Sequence, residues 1–369
     1  MSQLPPITTG DRIARVVLKC LAALPLSAQR ALGGKPDVID GQTPHPSTQM
    51  GMRLFSLLGE ETFETKPVPV ARDEVARQLW MISDPTPIGE VRDFKISGPH
   101  GLIPLRLYRP ENPQPDGPMV VYFHGGGWVV GDLGECDSVC RFMAKHGEIT
   151  VLSVDYRLAP EHRFPKGLED CLAAFDYAVT HAREFGCDPD LVGVAGESAG
   201  GNITAVISLM TTERARSGVD APIPAFQVPL QPVTDLSTKH PSYQLFGKKY
   251  GLTEAQMDWY KGHYLSSPDE AWDPRVSPLL AKDLSGLPPA LVVVAGFDPL
   301  RDEALVYAER MREAGVPVTV RLFDGSTHAQ LNALGAGSYA REMMLEIIGG
   351  INVLIGFARM VSRRDRMSR

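Results

Sequence analysis

The stretch LVGVAGESAGGN, residues 191–202, puts a serine, Ser198, between the apolar run Leu191–Val194 and a helix-like pattern running from Asn202 to Met210. A sharp turn of this composition between strand and helix is the setting of a nucleophile elbow. The chemistry needs Ser198 on a tight turn so that its Oγ protrudes. Small residues must flank it, because a side chain there would strike neighbouring backbone. The helix that follows turns its N-terminus toward the hydroxyl and favours developing negative charge. A bare G-x-S-x-G arises by chance in glycine-rich chains, and an ordinary glycine turn is the competing reading; the strand before Gly196 and the helix after Gly200 decide between them.

Working outward, the chain from Pro118 onward alternates short apolar runs with longer helical patterns. The runs are Met119–Phe123, Thr150–Val154, Leu191–Val194, Ala225–Leu230, Leu291–Ala295 and Val318–Phe323. Fully apolar strands separated by helices predict an α/β fold with a mostly parallel sheet covered on both faces. Before them, Val91–Ile96 and Ile103–Tyr108 flank the turn signal Ser97-Gly98-Pro99-His100-Gly101 and predict an opening hairpin. Residues 11–33 are helix-like, 34–47 are interrupted by Pro, Gly and Thr, and a second helical pattern reaches about Ile82. The interval from about 235 to 275 holds aromatics, Gly and Pro without a strand. The expected organisation is an N-terminal helical cap segment over 1–85, a catalytic α/β domain over 86–235 and 276–369, and a cap insertion over 236–275. No internal repeat is evident.

His124-Gly125-Gly126-Gly127-Trp128 follows the strand Met119–Phe123, where a loop can reach over the sheet edge toward the elbow. Three consecutive glycines let backbone N–H groups converge on an oxyanion, and one such donor is typically worth about 10²–10³ in turnover. Gly126 and Gly127 are the expected donors, joined by the N–H of Ala199, the residue after the nucleophile. A phosphate-cradling loop is disfavoured because no Lys-Ser/Thr pair follows. A serine hydroxyl also needs a base and a group that orients the base. In parallel sheets reactive groups gather at the carboxyl ends of strands. Asp298 follows the run ending at Phe297, and His328 follows Asp324-Gly325-Ser326-Thr327, so the order Ser, Asp, His fits the α/β-hydrolase topology. His146, His181 and His263 lie away from strand ends, and Asp302 and Glu303 lie about one turn into the next helix, facing away from the strand tip. Asp155 to Glu161 reads as a scaffold for the glycine loop. Glu197 reads as a structural hydrogen-bond acceptor whose side chain projects away from the histidine.

The chain has 369 residues, of which 43% are hydrophobic, enough for a large core. Its 37 basic and 44 acidic residues give a net charge of -7, which leaves no electrostatic footprint for nucleic acid. Cysteines 20, 136, 140, 171 and 187 lack C-x-x-C spacing and read as free thiols, with neither a disulfide framework nor a metal site. The stretch Leu21–Leu26 is broken by Pro25 and is a poor signal peptide, so a cytoplasmic setting is expected. Met343–Met360 carries Glu346 and Arg359 and is expected to be a packed terminal helix, short of a membrane span. The tail Arg363, Arg364, Arg366 and Arg369 reads as a solvated end, with contact to anionic lipid as the rival reading.

His124 to Trp128 with Gly131-Asp132, Asp155 to Glu161, Gly196 to Asn202, and Asp298-Pro299-Leu300-Arg301-Asp302-Glu303 stand in order along the chain. In these four blocks it resembles the hormone-sensitive-lipase-like family of bacterial esterases, family IV, in the GDSAG-type branch, over about Val91 to Gly335. The front segment is similar to that of mycobacterial and other actinobacterial members. The resemblance implies a cap built from the N-terminal helices and the insertion, cleavage of short- to medium-chain acyl esters, no metal or cofactor, a small-molecule ester substrate and often a homodimer. Two departures stand out: Glu197 replaces the usual Asp, and His328-Ala329-Gln330 replaces the more usual His-Gly-Phe, which bears on the shape of the pocket. An amidase or lactonase would share the same first steps, and a non-catalytic ligand receptor on this fold would be expected to lack a triad member.

Overall fold

A computed structural model describes residues 4–58 and 62–367. The chain opens with four helices, α1 (Thr9–Ala22), α2 (Leu26–Gly33), α3 (Pro46–Leu58) and α4 (Val68–Ile82). The hairpin β1 (Glu90–Gly98) and β2 (Gly101–Arg109) follows, closed by the pair Gly98 and Gly101. Then come β3 (Gly117–Phe123), α5 (Asp137–Gly147), β4 (Thr150–Val154), α6 (Lys166–Thr180), β5 (Cys187–Glu197), α7 (Ala199–Arg216) and β6 (Gln227–Leu230). The interval without a strand holds α8 (Pro241–Phe246) and α9 (Glu254–Tyr264), after which β7 (Ala290–Phe297), α10 (Arg301–Glu313), β8 (Val318–Thr327) and α11 (Ser338–Met367) complete the chain.

Among the described residues, eight strands form one sheet in the order β1-β2-β4-β3-β5-β6-β7-β8. The hairpin is antiparallel to itself and to β4, and every other pair is parallel. Burial explains the sequence pattern: every residue of β3, β4 and β7 is buried, as strands covered on both faces must be, whereas the edge strand β1 is mostly open. One core packs β2–β5 against α6 and α7, and another packs the opposite face against α5 and α11.

Two expectations change at the C-terminal half. Residues 324–327 continue β8 instead of forming a loop, with a register shift between Ala295 and Phe297 that lets Phe297 pair with Thr327. The helix Ser338–Ser362 is, by length and composition, long and apolar enough to cross a membrane, contrary to the expectation that it falls short. In the fold, Met343, Met344, Ile347, Ile348 and Ile351 pack one of its faces into the core. The side chains of the basic tail, Arg363, Arg364, Arg366 and Arg369, lie outside the described residues.

Candidate active site

Ser198 joins β5 to α7 at φ 57° and ψ −115°, a backbone conformation that costs a residue with a side chain about 1–3 kcal/mol. The sheet holds it there, because the Ser198 N–H donates to the Leu230 carbonyl at 2.8 Å and the Asn202 N–H donates to the Ser198 carbonyl at 2.9 Å. Glycine is required on both sides of the turn. A Cβ on Gly196 would stand 2.4 Å from the Gly200 oxygen, and one on Gly200 would stand 2.0 Å from the Phe123 oxygen.

Three strand ends bring the expected side chains together. His328 Nδ1 lies 2.7 Å from Asp298 Oδ2, and its Nε2 lies 2.9 Å from Ser198 Oγ. A carboxylate only accepts, so Nδ1 carries the hydrogen and Nε2 is left to accept the serine proton. The other Asp298 oxygen accepts the Leu300 N–H at 2.9 Å, and Asp298 is 1% exposed, so the carboxylate is fixed before any substrate arrives. Burial alone would push the His328 pKa down. The charge and hydrogen bond of Asp298, with the charge of Glu197, overcome it and raise the pKa above its ordinary value.

The glycine loop lies against Ser198: a Cβ on Gly125 would be 3.2 Å from the Glu197 backbone oxygen and 3.6 Å from Ser198 Cβ. Gly126 (φ 100°) and Gly127 (φ 56°) turn the chain, and the Val129 and Val130 N–H groups both close on the Gly126 carbonyl, at 3.0 and 2.9 Å. Among the described residues the N–H groups of Gly126, Gly127 and Ala199 have no protein acceptor. Such donors can meet an oxyanion without first breaking a bond. His124 donates from Nδ1 to the Gly125 carbonyl at 2.8 Å and stacks on Tyr156, whose hydroxyl donates to the His124 carbonyl at 2.8 Å. The Ala159 N–H bonds the Trp128 carbonyl at 2.9 Å, so residues 155–161 brace the loop as expected of a scaffold.

Several supporting groups had no local signal in the sequence. Arg72 on α4 donates to the carbonyls of Val129 at 2.8 Å and Ala159 at 2.9 Å and forks onto Glu161 at 2.8 and 2.7 Å. Its partners lie 57 to 89 positions away. Gln231, after β6, accepts the Ala329 N–H at 2.8 Å and so holds the turn beyond His328. Asn202 ties the elbow helix to the carbonyls of Val233 and Val276, both at 2.8 Å.

Glu197 is an acceptor, taking a 2.6 Å hydrogen bond from Asn332 Nδ2, but it does not project away from the histidine. Its carboxylate is buried beside the site and its charge acts on His328. Burial raises its own pKa, against the lowering influence of His328 and Asn332. This direction could have been suspected, since an ionisable residue next to a buried nucleophile has little room elsewhere. Glu303 departs too. It is fully buried and turns inward, accepting the N–H groups of Thr234 at 2.7 Å and Asp235 at 3.2 Å, while Asp302 pairs with Arg301 at 2.8 Å. Neither hydrogen-bonds His328.

Ser198, His328, Gly126 and Gly127 open into a cavity of about 1110 Å³ whose wall includes Leu18 and Leu21 of α1, Leu79 of α4 and Tyr260 of α9. The departure at Ala329 and Gln330 is accommodated there. Ala329 sits at φ 60°, where Gly is the commoner choice, and Gln330 Oε1 accepts from Thr48 at 3.1 Å and Thr327 at 3.3 Å.

Comparison with known proteins places this geometry. A family model described as alpha/beta hydrolase fold matches residues 120–332. The chain is 42% identical to a carboxylic ester hydrolase of Mycobacterium tuberculosis, LipN, over 89% of this chain and 88% of that protein. It is 38% identical to an arylesterase of Saccharolobus solfataricus, over 71% of this chain and 84% of that protein. Among solved structures it is similar to an ester hydrolase from the metagenome of Lake Arreo, with a TM-score of 0.80 and 34% identity, covering 85% of this chain and 99% of that one.

Proposed function

Because the chain belongs to the hormone-sensitive-lipase-like family of α/β hydrolases and is an ester hydrolase acting on small-molecule esters, we propose that Ser198, His328 and Asp298 carry the cleavage. Ser198 Oγ attacks the ester carbonyl while His328 Nε2 accepts its proton. Asp298 holds the imidazole tautomer and stabilises the imidazolium. The N–H groups of Gly126, Gly127 and Ala199 stabilise the oxyanion of each tetrahedral intermediate. His328 then protonates the leaving alcohol, and water activated by the same His328 releases the acid from the acyl-enzyme.

The single observation that carries this reading is the unbroken chain from Ser198 Oγ through His328 to Asp298, at 2.9 and 2.7 Å. The cap belongs to the same proposal: residues 1–85 and 236–275 cover the catalytic core of 86–235 and 276–369, as the lining by Leu18, Leu79 and Tyr260 supports. So do a cytoplasmic setting, supported by five free cysteines, and a homodimer, supported by β8 standing last in the sheet order. The acyl group is short to medium in length. A p-nitrophenyl ester series from acetate to palmitate, with Ser198→Ala as control, tests the assignment. The expected rate maximum lies at short to medium chains and vanishes in the folded variant; retained turnover by Ser198→Ala overturns the nucleophile.

A further inference from the structure

The first helix carries an apolar face that the active site does not use. On α1, Ile13, Val16 and Val17 are 60%, 61% and 49% exposed, and Cys20 is exposed beside them. Their spacing of three, four and seven places them in one stripe along the helix. The opposite face is already engaged. Arg15 donates to the Ser83 carbonyl at 3.1 Å and lies over the Trp80 ring at 4.3 Å, while Leu18, Leu21 and Ala22 line the cavity that holds Ser198. The helix is therefore a wall with the substrate cavity on one side and bare hydrocarbon on the other. The apolar surface continues past a 117° bend onto α2, where Leu26 and Leu32 are 48% and 46% exposed.

Charge says what covers this face. Between Leu4 and Lys35 the sequence holds five basic residues, Arg12, Arg15, Lys19, Arg30 and Lys35, and one acidic residue, Asp11, in a chain whose net charge is -7. Asp11 is consumed as the capping partner of Thr8. Arg12 and Lys19 are both exposed, four and three positions from Val16, so they flank the stripe. An amphipathic helix with an open apolar face and basic flanks fits a bilayer surface bearing anionic headgroups: the stripe enters the acyl boundary and the cations meet the phosphates. A second copy pairing its own stripe with this one would cover the hydrocarbon but set the basic flanks of Arg12 and Lys19 against their own counterparts, whereas an anionic bilayer satisfies both features. We propose that the α1–α2 elbow docks on an anionic lipid surface and so holds the substrate cavity, whose wall is the inner face of the same helix, against the bilayer.

Co-sedimentation of the whole chain with vesicles of mixed phosphatidylglycerol and phosphatidylcholine, against pure phosphatidylcholine, tests this without relying on hydrolysis. The expected result is binding to the anionic vesicles alone. Arg12→Gln or Lys19→Gln should each weaken it on the order of fivefold. Ile13→Ser, Val16→Ser and Val17→Ser together should weaken it roughly a hundredfold. Hydrolysis of a water-soluble short ester and the thermal melt should stay unchanged in all variants, since these side chains point away from the cavity. Absence of wild-type binding to anionic vesicles overturns the proposal, as does a triple variant that binds like the parent. A dimer in solution that the triple variant disperses overturns it as well, because the stripe then belongs to a second copy.

Discussion

Replacing Arg72 with Ala removes one guanidinium that reaches three partners. It satisfies the carbonyls of Val129 and Ala159, residues that are 0% and 1% exposed, and forks onto Glu161, whose side chain is 52% exposed. The ion pair with so open a carboxylate is worth below about 1 kcal/mol. Each charge-assisted bond to a buried carbonyl contributes about 1.5 kcal/mol, the low end for such bonds. The expected loss is thus about 3–4 kcal/mol, of which the carbonyls carry most. With an unfolding entropy of about 2.1 cal/mol/K per residue, 1 kcal/mol moves Tm by roughly 1.3 °C in a chain of this length. Calorimetry should therefore show a fall of about 4–5 °C for Arg72→Ala and about 1 °C for Glu161→Gln. The kinetics should follow, because Val129 closes the turn on Gly126. Losing an oxyanion donor outright costs about 10²–10³, so a loosened turn should cost on the order of tenfold in kcat with KM nearly unchanged. Lys at position 72 should recover little, since an ammonium cannot reach all three partners in a planar fork. An Arg72→Ala variant that melts within a degree of the parent with undiminished kcat refutes the reasoning. Glu161→Gln reproducing the whole loss does so too, because the ion pair and not the carbonyls would then be responsible.

Glu197→Gln tests the second charge on His328. That charge holds the imidazolium pKa up and the base must be neutral to act, so removing it should shift the acid limb of kcat/KM to lower pH. Asp155 is pushed up to about 6 by burial and by the charge of Asp132, but its charge is not among those acting on His328, so Asp155→Asn should leave the limb where it is. Gly127→Ala should lower kcat by about 10²–10³, because φ is 56° and the new Cβ would stand 2.2 Å from the Tyr260 ring. Gly41→Ala, at φ 73° with nothing within 4 Å, should cost only about 1 kcal/mol of stability and no activity. Glu303→Ala leaves the Thr234 and Asp235 N–H groups buried and unpaired and should cost about 2–4 kcal/mol in chemical denaturation, whereas Glu303→Gln, which still accepts both, should cost less than half of that.

What the sequence reveals and what it hides divide along a physical line. The elbow, the glycine loop and the positions of Asp298 and His328 are legible because each needs a residue type at a strand end, and strand ends can be read from apolar runs and glycines alone. Residues 155–161 are legible as a scaffold for the same reason. The direction of a side chain is another matter. Glu197 and Glu303 turn into the protein because the backbone beside them offers Asn332, or the N–H groups of residues 234 and 235, at distances that only the folded chain defines. Arg72 is invisible for a stronger reason: nothing within a helical turn of it shows that its partners are carbonyls on two loops. Asp324-Gly325-Ser326-Thr327 carries turn residues and predicts a loop, yet pairing of Thr327 with Phe297 overrides that local preference.

These hidden contacts share a direction that explains the unusual sequence after the base. Where Gly and Phe are usual, Ala329 and Gln330 follow His328, and Gln330 gives the loop a polar anchor to Thr48 on α3 at 3.1 Å. Nearby, the His45 N–H bonds the Gly325 carbonyl at 2.8 Å, so the entrance to α3 grips the end of β8 on both sides of the histidine. Asn332 fastens the same loop to Glu197, next to Ser198. His328 is thus held from two directions, by the residue next to Ser198 and by the N-terminal helices. Those helices also form the cavity wall through Leu18, Leu21 and Leu79. The N-terminal segment therefore touches both the wall of the cavity and the loop that carries His328. Ser198 is fixed separately by β5 and the Leu230 carbonyl. Gln330 and the His45 N–H link the N-terminal helices to the segment that carries His328, while Ser198 is held by the sheet.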